Sequence, residues 1–290
     1  MNLGITGASG LIGRHLVDVA LRRGHEVIAF SRNPARGLPG CSMRPFASDR
    51  PPNFTGCDAI IHLAGESVVG LWTEGKKNRI RSSRINGTRL VAEAIAAMTH
   101  PPEVLVSGSA IGFYGDSGDV EITEETPLSS GFLSETSVAW EAEALRAPAE
   151  RIVLLRTGLV LSPQGGALGA MAPLFRLGLG GKLGSGRQWM SWIHLEDIVG
   201  LILFAVENTD IAGPVNGTAP WPVRNSDFTR LLAAQLHRPA FLSVPAFALR
   251  LLGEFSHELL DSKRVLPAVA TSHGFPFRYP ELAPALKNLL

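Results

Sequence analysis

The amino-acid sequence predicts an α/β fold: a doubly wound parallel sheet with a smaller, mainly helical C-terminal region. Two patterns predict it. Short apolar runs alternate with longer helical patterns through the first half of the chain, which is how parallel strands and crossover helices read in sequence. A glycine-rich turn, Gly7 to Gly13, stands directly between the first apolar run and the first helical pattern. The 290 residues, 45% of them hydrophobic, are enough for one large domain with an appendage.

Taken in order, strands are predicted at residues 2–6, 26–30, 58–63, 103–107 and 151–156, with helices at 11–23, 76–98 and 134–145 between them. After Gly158 the texture changes. Glycines crowd residues 164–186 around a short helix at 168–177, then a strand at 189–193 leads into a helix at 194–206. From Asn225 helices dominate, broken by Pro239, Pro245, Pro267, Pro276 and Pro280. The expected plan is a nucleotide-binding domain over residues 1–160, to which about 187–220 return, and a smaller substrate and cover region over 161–290.

Charge and cysteine usage narrow the classes. Lys and Arg number 27 against 26 Asp and Glu, with no basic run, so a nucleic-acid surface is not expected. Cys41 and Cys57 form no CxxC and read as reduced thiols. The longest apolar run, residues 198–206, is far short of the roughly 20 residues a membrane span needs. With a strand beginning at Asn2, no signal peptide is expected either, and the reading is a cytoplasmic protein without a membrane partner.

The turn Thr6-Gly7-Ala8-Ser9-Gly10-Leu11-Ile12-Gly13 has the chemistry of a pyrophosphate cradle. Glycines allow a tight turn, a close backbone approach and tight helix-strand packing, while the helix start offers free N–H groups. At the end of the second strand an acid would bind ribose hydroxyls; here Ser31 and Arg32 offer a hydroxyl and a guanidinium suited to a 2′-phosphate. NADP(H) is therefore expected over NAD(H). The run Leu63-Ala64-Gly65-Glu66 follows the third strand as a small-residue turn. His62, just before it, has no second His or Cys at ligand spacing, so it reads as structural and no metal site is expected.

In the long helix, Arg84 falls on the apolar stripe of Ile80, Thr88, Val91, Ile95 and Met98. A charge so placed needs a partner: cofactor phosphate, a substrate anion, or Glu66.

The GxxGxxG spacing resembles the short-chain dehydrogenase/reductase superfamily, in particular its extended, epimerase-like branch. That branch carries N-x-x-G-T where this chain has Arg84-Ile85-Asn86-Gly87-Thr88. Its catalytic serine matches Ser109, while its YxxxK tyrosine and lysine fall on Leu133 and Ser137. Tyr114 matches the tyrosine of a VYG turn and is the candidate acid, packing within its own loop being the alternative. Trp140, beside Glu141, is read as a packing residue.

Arg156-Thr157-Gly158-Leu159-Val160, Trp192-Ile193-His194-x-x-Asp197, Val215-Asn216-Gly217-Thr218 and the proline-rich C-terminus resemble an NADP-dependent epimerase-family group along nearly the whole chain. The resemblance implies NADP binding through the glycine turn (Gly7, Ser9, Gly10, Leu11, Ile12, Gly13), Ser31, Arg32, Leu63, Ala64, Gly65, Glu66 and Arg84, with Val160 near the nicotinamide half. It implies an oxidoreductase or epimerase for an unidentified small alcohol or carbonyl compound, and a homodimer is compatible with it. The missing tyrosine and lysine leave a non-catalytic NADP(H) sensor as the rival. Gly181-Lys182 lacks the following Ser or Thr of a P-loop, so residues 178–186 read as a cover over the cleft, anchored beyond it by Trp192 and His194, with Asp197 supporting the helix start.

Overall fold

The computed structural model describes residues 1–47 and 49–290. Its centre is a seven-stranded, wholly parallel sheet of β1 (Asn2–Thr6), β2 (Glu26–Ser31), β3 (Ser42–Pro45), β4 (Ala59–His62), β5 (Val104–Ala110), β6 (Arg151–Thr157) and β7 (Gly213–Gly217). The spatial order is β7-β6-β5-β4-β1-β2-β3, so the winding reverses between β1 and β4. Ligands of such sheets bind beyond the carboxyl ends of the strands at this switch point.

Alternation along the strands explains why both faces are covered. Leu3 and Ile5 of β1, Ile61 of β4 and Val104 and Val106 of β5 pack on one face against α1 (Leu11–Arg22) and α5 (Leu195–Glu207). Phe30, Ile60 and Leu105 point the other way, against Val91 and Ile95 of α2 (Glu74–Ala96). Helix α3 (Phe132–Ala144) lies beside α2. A further core joins α4 (Gly166–Arg176), α6 (Asn225–Gln235) and the helix Leu282–Leu289 through Leu168, Phe175, Phe228, Leu232 and Leu286, with Trp192 at its centre.

The five strands read from sequence are present with shifted ends, and two more complete the sheet. β3 was missed because Ser-Met-Arg-Pro has no apolar run; it is an edge strand, where half-exposed polar residues and a proline are tolerated. The strand expected at 189–193 is two short ones, Trp189–Met190 and Trp192–His194, which pair with different partners. Residues 181–183 form a parallel pair with Leu242–Val244, and Asn225 Oδ1 accepts from the Leu183 amide, so the expected cover is a small sheet fixed to the C-terminal region.

Asp197 differs from its expected part. The start of α5 is capped by His194, whose Nδ1 accepts from the Glu196 amide at 3.0 Å. Asp197 is buried and accepts instead from the amides of Arg278 and Tyr279, at 2.8 and 2.9 Å, fastening the C-terminal segment to the main domain. Among the described residues no helix is long and apolar enough to cross a membrane. Asp197→Ala should leave both amides unmatched and cost about 2–4 kcal/mol, seen as a lower urea midpoint.

Candidate functional site

The glycine turn is sealed on one side and open on the other. Gly7 adopts φ +70°, and a Cβ there would lie 2.7–2.8 Å from backbone atoms of Leu63 and Ala64; one on Gly13 would lie 2.2 Å from the Gly7 carbonyl oxygen. Only hydrogen fits at either position. Gly10 is exposed, and its N–H donates to the Gly7 carbonyl at 2.9 Å, closing the turn. It precedes a first turn of α1 that has no side-chain cap and no acidic residue, so Leu11 and Ile12 begin a helix with unmatched N–H groups. Ser9 is exposed beside them.

Around this turn the chain gathers most of the predicted positions. Ser31 ends β2 with its hydroxyl accepting from the Asn33 amide, and the exposed Arg32 guanidinium makes no hydrogen bond or ion pair among the described residues. Leu63, Ala64 and Gly65 leave β4 alongside Gly7, and the Arg84 guanidinium carbon comes within 3.6 Å of a Cβ built on Gly65. From the far side, the Leu11 side chain reaches Gly165 and Gly166, and Gly166 lies under the Val160 carbonyl, so the segment carrying Val160 borders the turn.

Of the three partners expected for Arg84, the Glu66 carboxylate is not the one used. It accepts from Lys76 at 2.8 Å and lies 3.7 Å from Arg79, ion pairs that hold it below its ordinary value. Among the described residues Arg84 donates only to the carbonyls of Glu66 and Ile80, and it stacks over Trp140 at 5.1 Å. Burial lowers its pKa to about 10. Glu66 opposes that shift through space, but among the described residues no carboxylate is hydrogen-bonded to the Arg84 guanidinium.

Ser109 and Tyr114 are brought together, but in a buried network rather than in an open cleft. Ser109, 5% exposed, donates to Glu141 Oε1 at 2.6 Å. Glu141 forms a bidentate pair with Arg156 through Nε and Nη2, at 2.9 and 2.8 Å. Arg156 Nη1 donates to the Tyr114 hydroxyl at 2.9 Å, and that hydroxyl donates to Asn216 Oδ1 at 2.8 Å. Tyr114 is 2% exposed; burial pushes its pKa up, against the opposing pull of Arg156. Its proton is thus held between fixed partners, and the cleft-facing acid expected from its loop position is replaced by a positioned hydroxyl. The Tyr and Lys positions hold Leu133 and the buried Ser137.

Sequence reasoning missed the centre of this network. Arg156 was read only as part of a motif, yet period-two alternation in β6 puts it opposite the face of Val153 and Leu155, directly beside Ser109 in register. A charge at a strand interior was the available signal, as Arg84 was on its helix. His62 is the structural histidine expected: fully buried, with Nδ1 2.7 Å from Thr6 Oγ1, Nε2 3.0 Å from Thr88 Oγ1, and a pKa lowered by burial to about 4.

A cavity of about 590 Å³ opens beside the first turn of α3, between Leu133 and a C-terminal wall that includes Glu254, His257 and Lys263. Residues 3–216 match the model of the NAD dependent epimerase/dehydratase family, and residues 244–289 match a domain of unknown function, DUF1731. The chain belongs to the NAD dependent epimerase/dehydratase family. Within that family it is 40% identical to the epimerase family protein YfhF of Bacillus subtilis, across 100% of this chain and 98% of that protein. It is 38% identical to the chloroplastic SDR39U1 homolog of Arabidopsis thaliana, across 100% of this chain and 87% of that one.

Among solved structures of the family, human SDR39U1 crystallised with NADPH superposes with a TM-score of 0.92 at 33% identity, covering 100% and 99% of the two chains. A nucleoside-diphosphate sugar epimerase from Corynebacterium glutamicum, of which this chain spans 58%, gives 0.82 at 34% identity.

Two outcomes follow from the buried groups. Arg156→Met leaves the Glu141 carboxylate buried and unpaired and should cost about 3–5 kcal/mol, whereas Glu141→Leu with Arg156→Met should cost less than the single change; urea unfolding of the two variants checks this. For His62 the unfolded state takes up a proton below about pH 6.5 while the folded state resists until about 4. Stability should therefore fall as pH drops through that window, by about 2 kcal/mol between pH 7.5 and 5. His62→Gln should remove that share of the pH dependence in paired urea melts.

Proposed function

We propose that this protein binds NADP(H) along the carboxyl edge of its sheet and acts as an oxidoreductase or epimerase on a small alcohol or carbonyl substrate. The observation that carries the cofactor reading is the pair of guanidiniums, Arg32 and Arg84, near a sealed glycine turn, neither of them hydrogen-bonded to a carboxylate among the described residues. The residues fit the group. The free N–H groups at the start of α1 would receive the pyrophosphate, and Ser31 and Arg32 the 2′-phosphate. Leu63 and Ala64 would lie along the adenine ribose, with Val160 near the nicotinamide. NADPH in the human relative supports this choice over NAD(H).

When bound, the nicotinamide supplies or accepts hydride; the protein's task is to hold the reacting oxygen and move a proton. Because Ser109 donates its only proton to Glu141, its free lone pairs suit it to orient an alcohol O–H. With the Tyr114 hydroxyl held by Arg156 and Asn216, a water takes the role of proton carrier. The same burial, together with Leu133 and Ser137 in place of tyrosine and lysine, favours a second reading: an NADP(H) sensor that presents a surface to a protein partner. Nucleotide-sugar epimerisation, the activity named for the Corynebacterium protein, normally relies on that missing pair and ranks behind both.

NADPH fluorescence titration tests the core claim, and absence of binding overturns it. NADPH turnover against a panel of carbonyl compounds, abolished by Ser109→Ala, separates enzyme from sensor; tight binding without turnover favours the sensor. Arg32→Ala should weaken NADPH about 10- to 100-fold, the size of one or two charge-assisted hydrogen bonds, while NADH affinity stays within about twofold. Equal loss for both cofactors would remove the 2′-phosphate assignment.

A further inference from the structure

Resting on that cofactor reading, we propose that the cavity beside α3 receives the substrate, and that the substrate is a non-phosphorylated, hydroxyl-bearing small molecule that is uncharged or carries an amine. The volume of about 590 Å³ lies within the range of small-molecule sites. One wall is the first turn of α3 with Leu133, and beside it Gly112 and Gly115 flank Tyr114, whose hydroxyl is joined to Ser109 through Arg156 and Glu141. Phe132 and Trp72 form an aromatic corner, with ring centroids 5.4 Å apart. The other wall comes from the C-terminal region.

The charges of the lining decide the class. Asp116, Glu135, Glu254, Glu258 and Asp261 bring five carboxylates, against the two ammoniums of Lys77 and Lys263. Arg81 at the rim, paired with Glu135 and set over the Phe132 ring, leaves the balance negative. Both lysines are already held: Lys77 by Glu74 and Glu254 at 2.8 Å each, and Lys263 by Glu258 at 3.4 Å and Asp261 at 3.8 Å. A diphosphate entering here would face surplus negative charge and would have to strip a lysine from its partners. Hydroxyls and amines meet the opposite situation, since carboxylates accept from them and aromatic faces cover their carbon skeleton.

A second observation lies outside the acidic set. Thr136, three and four residues beyond Leu133 and Phe132, shares their side of α3, and its buried hydroxyl has no hydrogen-bond partner among the described residues.

The test is calorimetry on the NADPH-loaded protein with D-glucose, D-glucosamine, glucose 6-phosphate and UDP-glucose as probes. Glucose or glucosamine should bind at least about tenfold more tightly than either phosphorylated probe. Leu133→Trp, which fills the cavity, should abolish that binding, and Glu254→Lys with Glu258→Lys should reverse the order of preference; circular dichroism checks that both variants fold. Tighter binding of a phosphorylated probe to the wild type, binding that survives both variants, or no binding of any probe overturns the proposal. NADPH fluorescence in the same samples reports on the cofactor reading separately. Should NADPH not bind, that reading fails, and titration of the cofactor-free protein still decides the charge preference of the cavity.

Discussion

The Arg156 guanidinium is closed off from solvent, and much of the molecule is arranged to satisfy it. Its bidentate contact with Glu141 ties the sixth strand to α3. Through Ser109, Tyr114 and Asn216 the same cluster reaches the fifth strand, the loop after it and the edge strand. Asn216 continues outward, donating from its side chain to the Leu266 carbonyl and from its backbone to Glu124. A buried ion pair of this kind adds little net stability over apolar packing, but it penalises every arrangement that leaves one charge alone. That penalty favours the observed register of the three strands and one helix that meet at this cluster.

Fixing the strands fixes the edge where they end. In a parallel sheet all carboxyl ends lie on one side, so Gly7, Arg32 and Leu63, far apart in sequence, converge there because β1 pairs directly with both β2 and β4. The close approach of Gly7 to the Leu63–Ala64 backbone shows how tightly the two strands flanking the switch point are brought together. Cationic groups stand there singly rather than as a basic run, so a chain of net charge +1 still places the Arg32 and Arg84 guanidiniums near this edge.

The fold was legible because its signals are local. Apolar runs, a glycine turn and a 3.6-residue stripe each fit within one element, and β1, α1 and α2 were read almost to their ends. What escaped depends on distant partners. β3 is a strand only because β2 offers it an edge, and the burial of Tyr114 follows from Arg156, 42 residues later. The part of Asp197 was misread for the same reason: the sequence beside it points to a helix start, while the groups it binds lie 81 and 82 residues downstream. At the site, residue types marked the candidate positions, but only the tertiary hydrogen bonds tell which hydroxyls are free to act.

The last strand to join the sheet has a consequence for how the chain is made. Between Thr157 and the edge strand at Gly213–Gly217 the polypeptide leaves the sheet, builds the start of the C-terminal region and α5, and only then returns to pair with β6. During synthesis, a ribosome that has released the chain only as far as Thr157 holds six strands with one long apolar edge bare. Such edges invite pairing with other chains. The excursion therefore ties completion of the main sheet to the second region, because β7 cannot pair with β6 until the chain has passed through part of that region.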